Sequence, residues 1–311
     1  MTFDKMKIIS NINYISNIDT NKFIAHTKNN QVLYYKYQQQ TPFSLIIVVD
    51  YQHKELSIEF TGKILLEKYP NLINAKTIRE CFYNINHLGI CNINVEAIIN
   101  QSYVTKCDVT KDIATTGIAT ILANIRPNIS NNKKWVVKGY KGGLTIEKVV
   151  STSRYKERLV IYDKAKEMQR AENDKFLNCV SNAQDIVSYF QGKVRFEVNI
   201  NTMSQIRTLL NIPNNDLKIV LSATSNPILT VINEAIKYNK PQHRKQTIRE
   251  YERELLLKSC NYDIVNVEAL IRSLSSSNTS IKRVMQPYKD LLNRLMVSPN
   301  ATSLNLRDLV A

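Results

Sequence analysis

The sequence predicts an α+β protein, with a central antiparallel sheet covered on one face by helices and an all-helical carboxy-terminal region after it. Over the first two hundred residues, short apolar runs that alternate with polar residues are separated by turn signals and helices, which is typical of a hairpin-rich sheet. After Asn201 the apolar residues recur at helical spacing instead. We therefore predict a first domain over residues 1–204 and a helical domain over residues 205–311.

Two hairpins anchor the predicted sheet. One has the polar turn Tyr51–Lys54, and the other has a turn with Gly142 and Gly143. Their strands are 44–50 with 55–60, and 135–139 with 144–150. The other elements predicted before residue 204 are helices over 74–88, 113–123 and 164–178, and strands over 103–109, 158–162 and 194–200. The helices predicted beyond it cover 205–210, 214–223, 226–238, 246–260, 265–274 and 281–296.

The charge of the chain points to a polyanionic partner. The sequence carries 42 Lys and Arg against 27 Asp and Glu, a formal net charge of +15. An excess of this size favours nucleic acid first and an anionic membrane second. The alternative is a generally lysine-rich composition, since the abundance of Ile, Asn and Lys is typical of an AT-rich genome.

Several protein classes lack support in the sequence. Five dispersed cysteines without a CxxC pair argue against a disulfide framework and a structural zinc site, and they fit a reducing cytoplasm. The amino-terminal run lacks the long apolar core of a signal peptide, and no apolar run has membrane-spanning length, so we predict a cytoplasmic protein without a membrane partner. Four histidines without a His-x-His pair leave a zinc hydrolase unsupported, and the absence of glycine-rich phosphate loops argues against an ATPase or a dinucleotide enzyme.

Two strand-like runs carry polar residues on a face where a fully buried strand has none. In one run Arg195, Glu197 and Asn199 alternate with apolar residues, and in the other Tyr162 and Lys164 share a face. If the two runs are neighbours in one sheet, these side chains converge on one polar surface. Such a set suits phosphoryl transfer to a tyrosine hydroxyl, with the glutamate on a metal and the cations on a phosphate. The alternative is that Tyr162 is a packing residue whose hydroxyl is hydrogen-bonded.

Two further carboxylates lie on the polar faces of predicted strands. Alternation places Glu59 opposite the buried positions of its strand, and Asp108 shares a face with Lys106. Together with Glu197 they supply hard oxygen ligands of the kind that suits Mg²⁺ or Mn²⁺. The alternative is that each carboxylate is simply the solvent side of an amphipathic strand.

The carboxy-terminal helices have the spacing of a helix-turn-helix motif. The helix over 265–274 would precede a turn at 275–277, and the basic run from Asn278, with Lys282 and Arg283, would be the recognition helix. An ordinary basic surface helix is the alternative, and Pro287 in mid-run would kink such a helix or reset its start.

A series of short runs around the candidate tyrosine has the order of a known family's motifs. The runs are Thr152-Ser153-Arg154, Arg158 to Lys164, Val194 to Glu197 and Leu209 to Pro213, with Trp135, Ile58-Glu59, Lys63 to Leu65 and the Asp108 strand upstream. In these features the chain resembles the replication initiators of filamentous phages, the gene II protein family, and more distantly the rolling-circle initiators of small staphylococcal plasmids.

The resemblance implies roles for individual residues. Tyr162 would be the nicking nucleophile, and Tyr155 is a second candidate. The implied ligands of Mg²⁺ or Mn²⁺ are Glu59, Asp108 and Glu197, and the implied contacts to the scissile phosphate are Lys164 and Arg195. Further contacts to DNA are expected from Arg154, Arg158, Lys193, Lys106, Lys282 and Arg283.

The resemblance also implies a fold and an activity. It implies the sheet of a rolling-circle nickase and a site-specific single-strand endonuclease and strand transferase that forms a 5′-phosphotyrosine on origin DNA in a bacterial host. A host replication helicase or polymerase is a further expected partner, and the oligomeric state stays open. The first alternative is a non-catalytic DNA-binding initiator or repressor, in which Tyr162 and the carboxylates are structural. The second is a metal-dependent nuclease that hydrolyses with water.

Overall fold

One antiparallel sheet of ten strands organises the chain in the computed structural model, which describes residues 1–115, 121, 135–140, 142–148, 157–235, 247–260, 263–274, 280–296 and 310. The strands are β1 Phe3–Asn11, β2 Ile15–Ser16, β3 Ile24–Lys28, β4 Gln31–Gln39, β5 Leu45–Asp50, β6 Glu55–Thr61, β7 Asn92–Ile93, β8 Tyr103–Ala114, β9 Trp135–Tyr140, β10 Gly143–Lys148, β11 Arg158–Asp163 and β12 Lys193–Ile200. Their order across the sheet is β3-β4-β5-β6-β1-β8-β12-β11-β10-β9, and β2 pairs with β7 separately.

The helices fall between and after these strands. They are α1 Ile78–His87, α2 Val95–Gln101, α3 Lys164–Met168, α4 Asp174–Leu177, α5 Ala183–Phe190, α6 Met203–Leu210, α7 Leu217–Ser222, α8 Pro227–Ala235, α9 Ile248–Ser259, α10 Ile264–Leu274 and α11 Ile281–Met296. Short 3-10 segments cover Ile12–Tyr14, Gly62–Asn71 and Ala171–Asn173. No helix in the described part of the chain is both long enough and apolar enough to cross a membrane.

The predicted α+β class and both predicted hairpins are confirmed. β5 pairs with β6, and β9 pairs with β10, each in antiparallel register. The predicted strand over 103–109 is longer than expected, because Lys111 to Ala114 continue to pair with β12. The helix predicted from residue 113 is therefore wrong at its start, and its positions 116–120 and 122–123 lie outside the described residues.

The charged helix predicted over 164–178 is not continuous. α3 ends at Met168, and the backbone at Arg170 is extended (φ −75°, ψ 143°), before a 3-10 turn and the short α4 follow. The break turns this segment back over the sheet, where Met168 and Phe176 join a small core with Tyr69 and Phe190. A straight helix would separate Met168 and Phe176 by about 12 Å along its axis.

One hydrophobic core extends across the predicted domain boundary at residue 204. It joins the apolar face of the sheet to the helices before that position and to α6, α7 and α8 after it. The buried residues that these three helices contribute include Ile206, Leu210, Leu217, Val220, Ile228, Val231 and Ile232. Elements on both sides of residue 204 thus share one core. A second core of Leu257, Val267, Ile271, Met285, Leu291 and Leu292 joins α9, α10 and α11.

The two faces of the sheet differ sharply in exposure. On β12, Val194, Phe196, Val198 and Ile200 are all 2% exposed or less, as the alternation predicts. On the opposite face the wing from β3 to β1 carries side chains that are at least partly exposed, including Lys5, Lys7, Lys36, Ile46, Val48 and Glu59. We call this second surface the open face.

Candidate active site

Strand pairing brings the candidate residues together on the open face in successive rows. Tyr162 on β11 is opposite Arg195 on β12, and the next position along has Glu197 opposite Val160. The row after that runs Arg158, Asn199, Asp108 and Lys5 across β11, β12, β8 and β1, and the following row has Lys106, Lys7 and Glu59 across β8, β1 and β6. β11 and β12 are neighbours in the sheet, which is the condition on which the convergence of the two runs depends.

Tyr162 lies at the end of β11 with its hydroxyl directed at a carboxylate. Its Oη donates to Glu197 Oε2 across 3.3 Å, and the side chain is partly exposed to clefts on two sides. Burial raises the pKa of the Tyr162 phenol well above its ordinary value, and the Glu197 charge adds to this effect. Deprotonation of the phenol therefore needs a compensating positive charge or a base in contact.

Asp108 and Glu197 form a close pair of carboxylates on β8 and β12. Asn199 donates to Glu197 Oε1 across 2.8 Å and also hydrogen-bonds Asp108. Burial, and next the Glu197 charge, raise the pKa of Asp108 to about 7, while burial and the charge of Asp4 raise the pKa of Glu197. Two partly buried carboxylates, with the charge of Glu197 opposing the ionisation of Asp108, fit a divalent cation, which would relieve that repulsion.

Glu59 lies apart from this pair. It is on β6, so β1 separates it from Asp108, and Lys5 Nζ forms an ion pair with Glu59 Oε1 at 2.5 Å. Within the described ranges, no group of three His, Cys, Asp or Glu side chains is arranged to hold a metal. The structure therefore joins Asp108 and Glu197 but leaves Glu59 on the far side of a lysine.

Arg195 is placed differently from the sequence-based expectation of a phosphate contact. Its side chain is 0% exposed, and it makes two parallel hydrogen bonds of 2.7 Å to Asp112. Its remaining terminal nitrogen donates to Asp4 Oδ1 at 2.9 Å and to the Tyr69 hydroxyl at 3.1 Å. A guanidinium enclosed in this way is not available to DNA. Its hydrogen bonds instead link β12 to β8 through Asp112 and to β1 through Asp4.

Lys164 is also enclosed. It is 2% exposed and pairs with Glu167 on the same helix, α3. Its Nζ lies 5.8 Å from the ring centroid of Tyr162, beside the rings of Tyr69 and Phe190, so it contacts the ring and not the hydroxyl. Burial and the nearby arginine lower the pKa of Lys164. Direct contact with a scissile phosphate would require this lysine to leave its partner.

The candidate DNA contacts that lie within the described residues divide into three groups. Arg158 and Lys106 are exposed on the open face, close to the carboxylate pair. Lys193 is half-buried, with its Nζ 3.0 Å from the centroid of the Tyr189 ring. Lys282 and Arg283 are exposed on α11, in the second core's helices. Arg154 and Tyr155 lie outside the described residues.

Sequence reasoning missed the contribution of β1. Asp4 accepts from Arg195, and Lys5 and Lys7 line the groove beside Asp108. Alternation of Lys5 and Lys7 with the buried Met6 and Ile8 could have identified this strand, but the register shift at Asp4 shortens the pattern. Comparisons of the chain with protein-family models, with curated proteins and with solved structures find no match.

Proposed function

We propose that the protein is a rolling-circle replication initiator, a site-specific DNA nicking and joining enzyme with Tyr162 as its nucleophile. The observation that carries the proposal is the Tyr162 hydroxyl in contact with Glu197, next to Asp108 and to exposed cations on an open sheet face. The sequence resemblance to phage and plasmid initiators supports the same reading. The excess of positive charge on the chain supports a nucleic-acid substrate.

The chemistry exchanges one phosphodiester for another. The Tyr162 oxygen forms a bond to phosphorus, the bond from phosphorus to the 3′ oxygen breaks, and a 5′-phosphotyrosine and a free 3′-OH result. The proton leaves the phenol towards Glu197, which already accepts its hydrogen bond, and a proton is delivered to the departing 3′ oxygen. Because the ester energy is kept, the strand can be rejoined without ATP.

Asp108 and Glu197 are the residues that would hold Mg²⁺ or Mn²⁺. When bound, such a cation would supply charge neutralisation at the phosphate and favour the ionised phenol. Asn199 orients the pair through its hydrogen bonds, and the enclosed Arg195 fixes the strand on which Glu197 lies. The main contribution of the chain itself to catalysis is that rigid strands hold Tyr162 and the carboxylate pair in position.

A non-catalytic DNA-binding initiator or repressor is the second candidate function. The observation that favours it is the packing of α10 and α11 against α9, with Lys282 and Arg283 exposed on α11. A metal-dependent nuclease that uses water would share the carboxylate pair. Only the proposed function produces a covalent link between protein and DNA.

The test is capture of that covalent link. The protein is incubated with a random pool of single-stranded DNA and Mn²⁺, separated on a denaturing gel, and the attached strands are sequenced. Tyr162→Phe should abolish the adduct and leave binding nearly intact, because only one hydroxyl is lost. Tyr103→Phe, which alters another partly buried tyrosine of the sheet, is the control and should react normally. Adduct at the normal level in Tyr162→Phe would move the nucleophile elsewhere, with Tyr155 next to be tested.

A further inference from the structure

The polarity of the bound strand can be deduced from the direction in which Tyr162 faces. Its hydroxyl is directed along the sheet at Glu197, which is one row nearer to Asp108 and Arg158. A phosphate attacked by this oxygen must therefore lie on the Asp108 side of the ring. In phosphoryl transfer the attacking and leaving oxygens are roughly in line, so the 3′ oxygen leaves away from the tyrosine.

The direction of departure leads into a basic groove on the open face. Its walls include Lys5, Lys7 and Lys106 on one side and Arg158 with Asn201 on the other. Lys5 forms an ion pair with Glu59. Lys7, Lys106 and Arg158 form no ion pair with any residue that the structure describes, and all three are at least partly exposed. Cations in two adjacent rows of the sheet, next to a carboxylate pair, fit the phosphates of a strand.

A second cleft runs past the tyrosine and shares Arg158 with the basic groove. It begins at Arg158, passes Tyr162 and reaches Lys166 and Arg170 at the end of α3. Both of these cations lie about 3.5 Å from a neighbouring carboxylate, at Asp163 and Glu172 respectively. A strand attached to the Tyr162 oxygen through its 5′ phosphate would leave the site along this cleft, towards Lys166.

We infer that the groove of Lys7, Lys106 and Arg158 binds the strand upstream of the nick, the one that ends in the new 3′-OH, and that the cleft of Lys166 binds the downstream strand. The inference rests on the proposed function and extends it to the orientation of the substrate. Retention of the 3′-OH strand in this groove keeps it available for rejoining, since a bound end reacts at a high effective concentration.

The experiment uses the full chain and two series of substrates with a fixed nick site. In one series the upstream arm is lengthened nucleotide by nucleotide, and in the other the downstream arm is lengthened. The double variant Lys7→Gln/Lys106→Gln should lose the gain in adduct rate that a longer upstream arm gives, and keep the gain from the downstream arm. Lys166→Gln, the matched control, should show the reverse pattern.

A binding measurement gives a second readout that does not depend on chemistry. Anisotropy of a labelled upstream oligonucleotide with a free 3′-OH should show weaker binding to the double variant. Its salt dependence should also fall by about 1.4 in log–log slope, since each phosphate contact with a single strand contributes about 0.7. Circular dichroism of the variant must match that of the unaltered protein.

The outcomes separate the inference from the function on which it rests. If the double variant instead lost the rate gain from a longer downstream arm, the assigned polarity would be wrong. The same holds if both variants lost the gain from both arms equally. In either case the proposed nicking activity would stand. An unaltered protein that forms no adduct with any substrate would overturn the proposed function and the inference together.

Discussion

At Asp108, burial and a neighbouring carboxylate act in the same direction, and both make ionisation costly. The pKa of this group in the folded protein is raised to about 7, against an ordinary value of 3.8. The contribution of Asp108 to stability is therefore complete below about pH 4 and is lost as the pH rises through about 7. A bound cation reverses this trend, because it favours the ionised pair.

The first prediction therefore concerns the pH dependence of cation binding. At pH 8, Mn²⁺ at a hundredfold excess over its Kd should stabilise the protein by about 2.7 kcal/mol, and the effect should fade as the pH drops below about 7. Asp108→Asn should remove the stabilisation, whereas Glu59→Gln should leave most of it. Thermal unfolding with and without Mn²⁺ measures this. If Glu59→Gln lost most of the stabilisation by Mn²⁺, Glu59 would again be a candidate ligand.

Arg195 supports a second prediction, about stability. Arg195→Met removes the charge that compensates Asp112 and Asp4, so we expect destabilisation of about 3–5 kcal/mol. Lys193→Met is the matched control: it lies two residues earlier on the same strand, is partly exposed, and should cost less than about 1 kcal/mol. Urea unfolding compares the two, and similar costs would contradict the assigned role.

At the scale of single residues, the sequence predicted which face each side chain occupies but not how deeply it is covered. Alternation correctly placed Arg195, Glu197 and Asn199 on the face opposite the core. Burial of Arg195 depends on Tyr69 and Phe190, whose rings lie beside its guanidinium and come from the distant 3-10 segment and from α5. No local pattern in β12 contains this information.

At the scale of elements, β8 shows how pairing overrides local preference. The run from Ile113 onward was predicted to start a helix, yet Ile113 is opposite Val194 and is buried with the sheet. β1 was missed for the complementary reason, because the register shift at Asp4 interrupts its alternation. Strand ends and bulges are fixed by partners that are distant in the sequence.

Helix α8 gives the third prediction. Ile232 is 0% exposed in the core that includes the sheet, so Ile232→Ala should destabilise the sheet by about 2–4 kcal/mol. The loss should appear as one cooperative shift in urea, reported equally by circular dichroism and by the fluorescence of Trp135. Glu234→Ala, on the exposed side of the same helix, is the control. Separate transitions for the two probes would show that α8 folds apart from the sheet.

At the scale of the whole molecule, the change to helical periodicity after Asn201 predicted the kind of element but not the core that it joins. Helices on an apolar sheet and helices in a separate bundle have the same spacing of apolar residues, so the pattern alone does not separate them. The structure places α6 to α8 with the sheet and α9 to α11 with one another. That DNA affinity resides in the latter group stays a prediction.

The fourth prediction tests that affinity. Lys282→Glu/Arg283→Glu should weaken binding to duplex DNA and lower the log–log salt slope by about 1.8, at about 0.9 for each phosphate contact. Adduct formation with single-stranded DNA should be unchanged. Lys28→Glu/Lys76→Glu carries the same change of net charge at exposed positions elsewhere and controls for long-range electrostatics. Equal losses in the two double variants would assign the effect to net charge alone.

The central position of β1 has a consequence for the synthesis of the protein. β1 is translated before both of its neighbours, since β6 and β8 begin about fifty and about one hundred residues later in the chain. At a translation rate of about 5–20 residues per second, one edge of β1 lacks its partner for about 5–20 s. An unpaired edge is a template for association between chains, so the nascent protein needs protection during this interval. The strands of the sheet therefore cannot pair in the order in which they are synthesised.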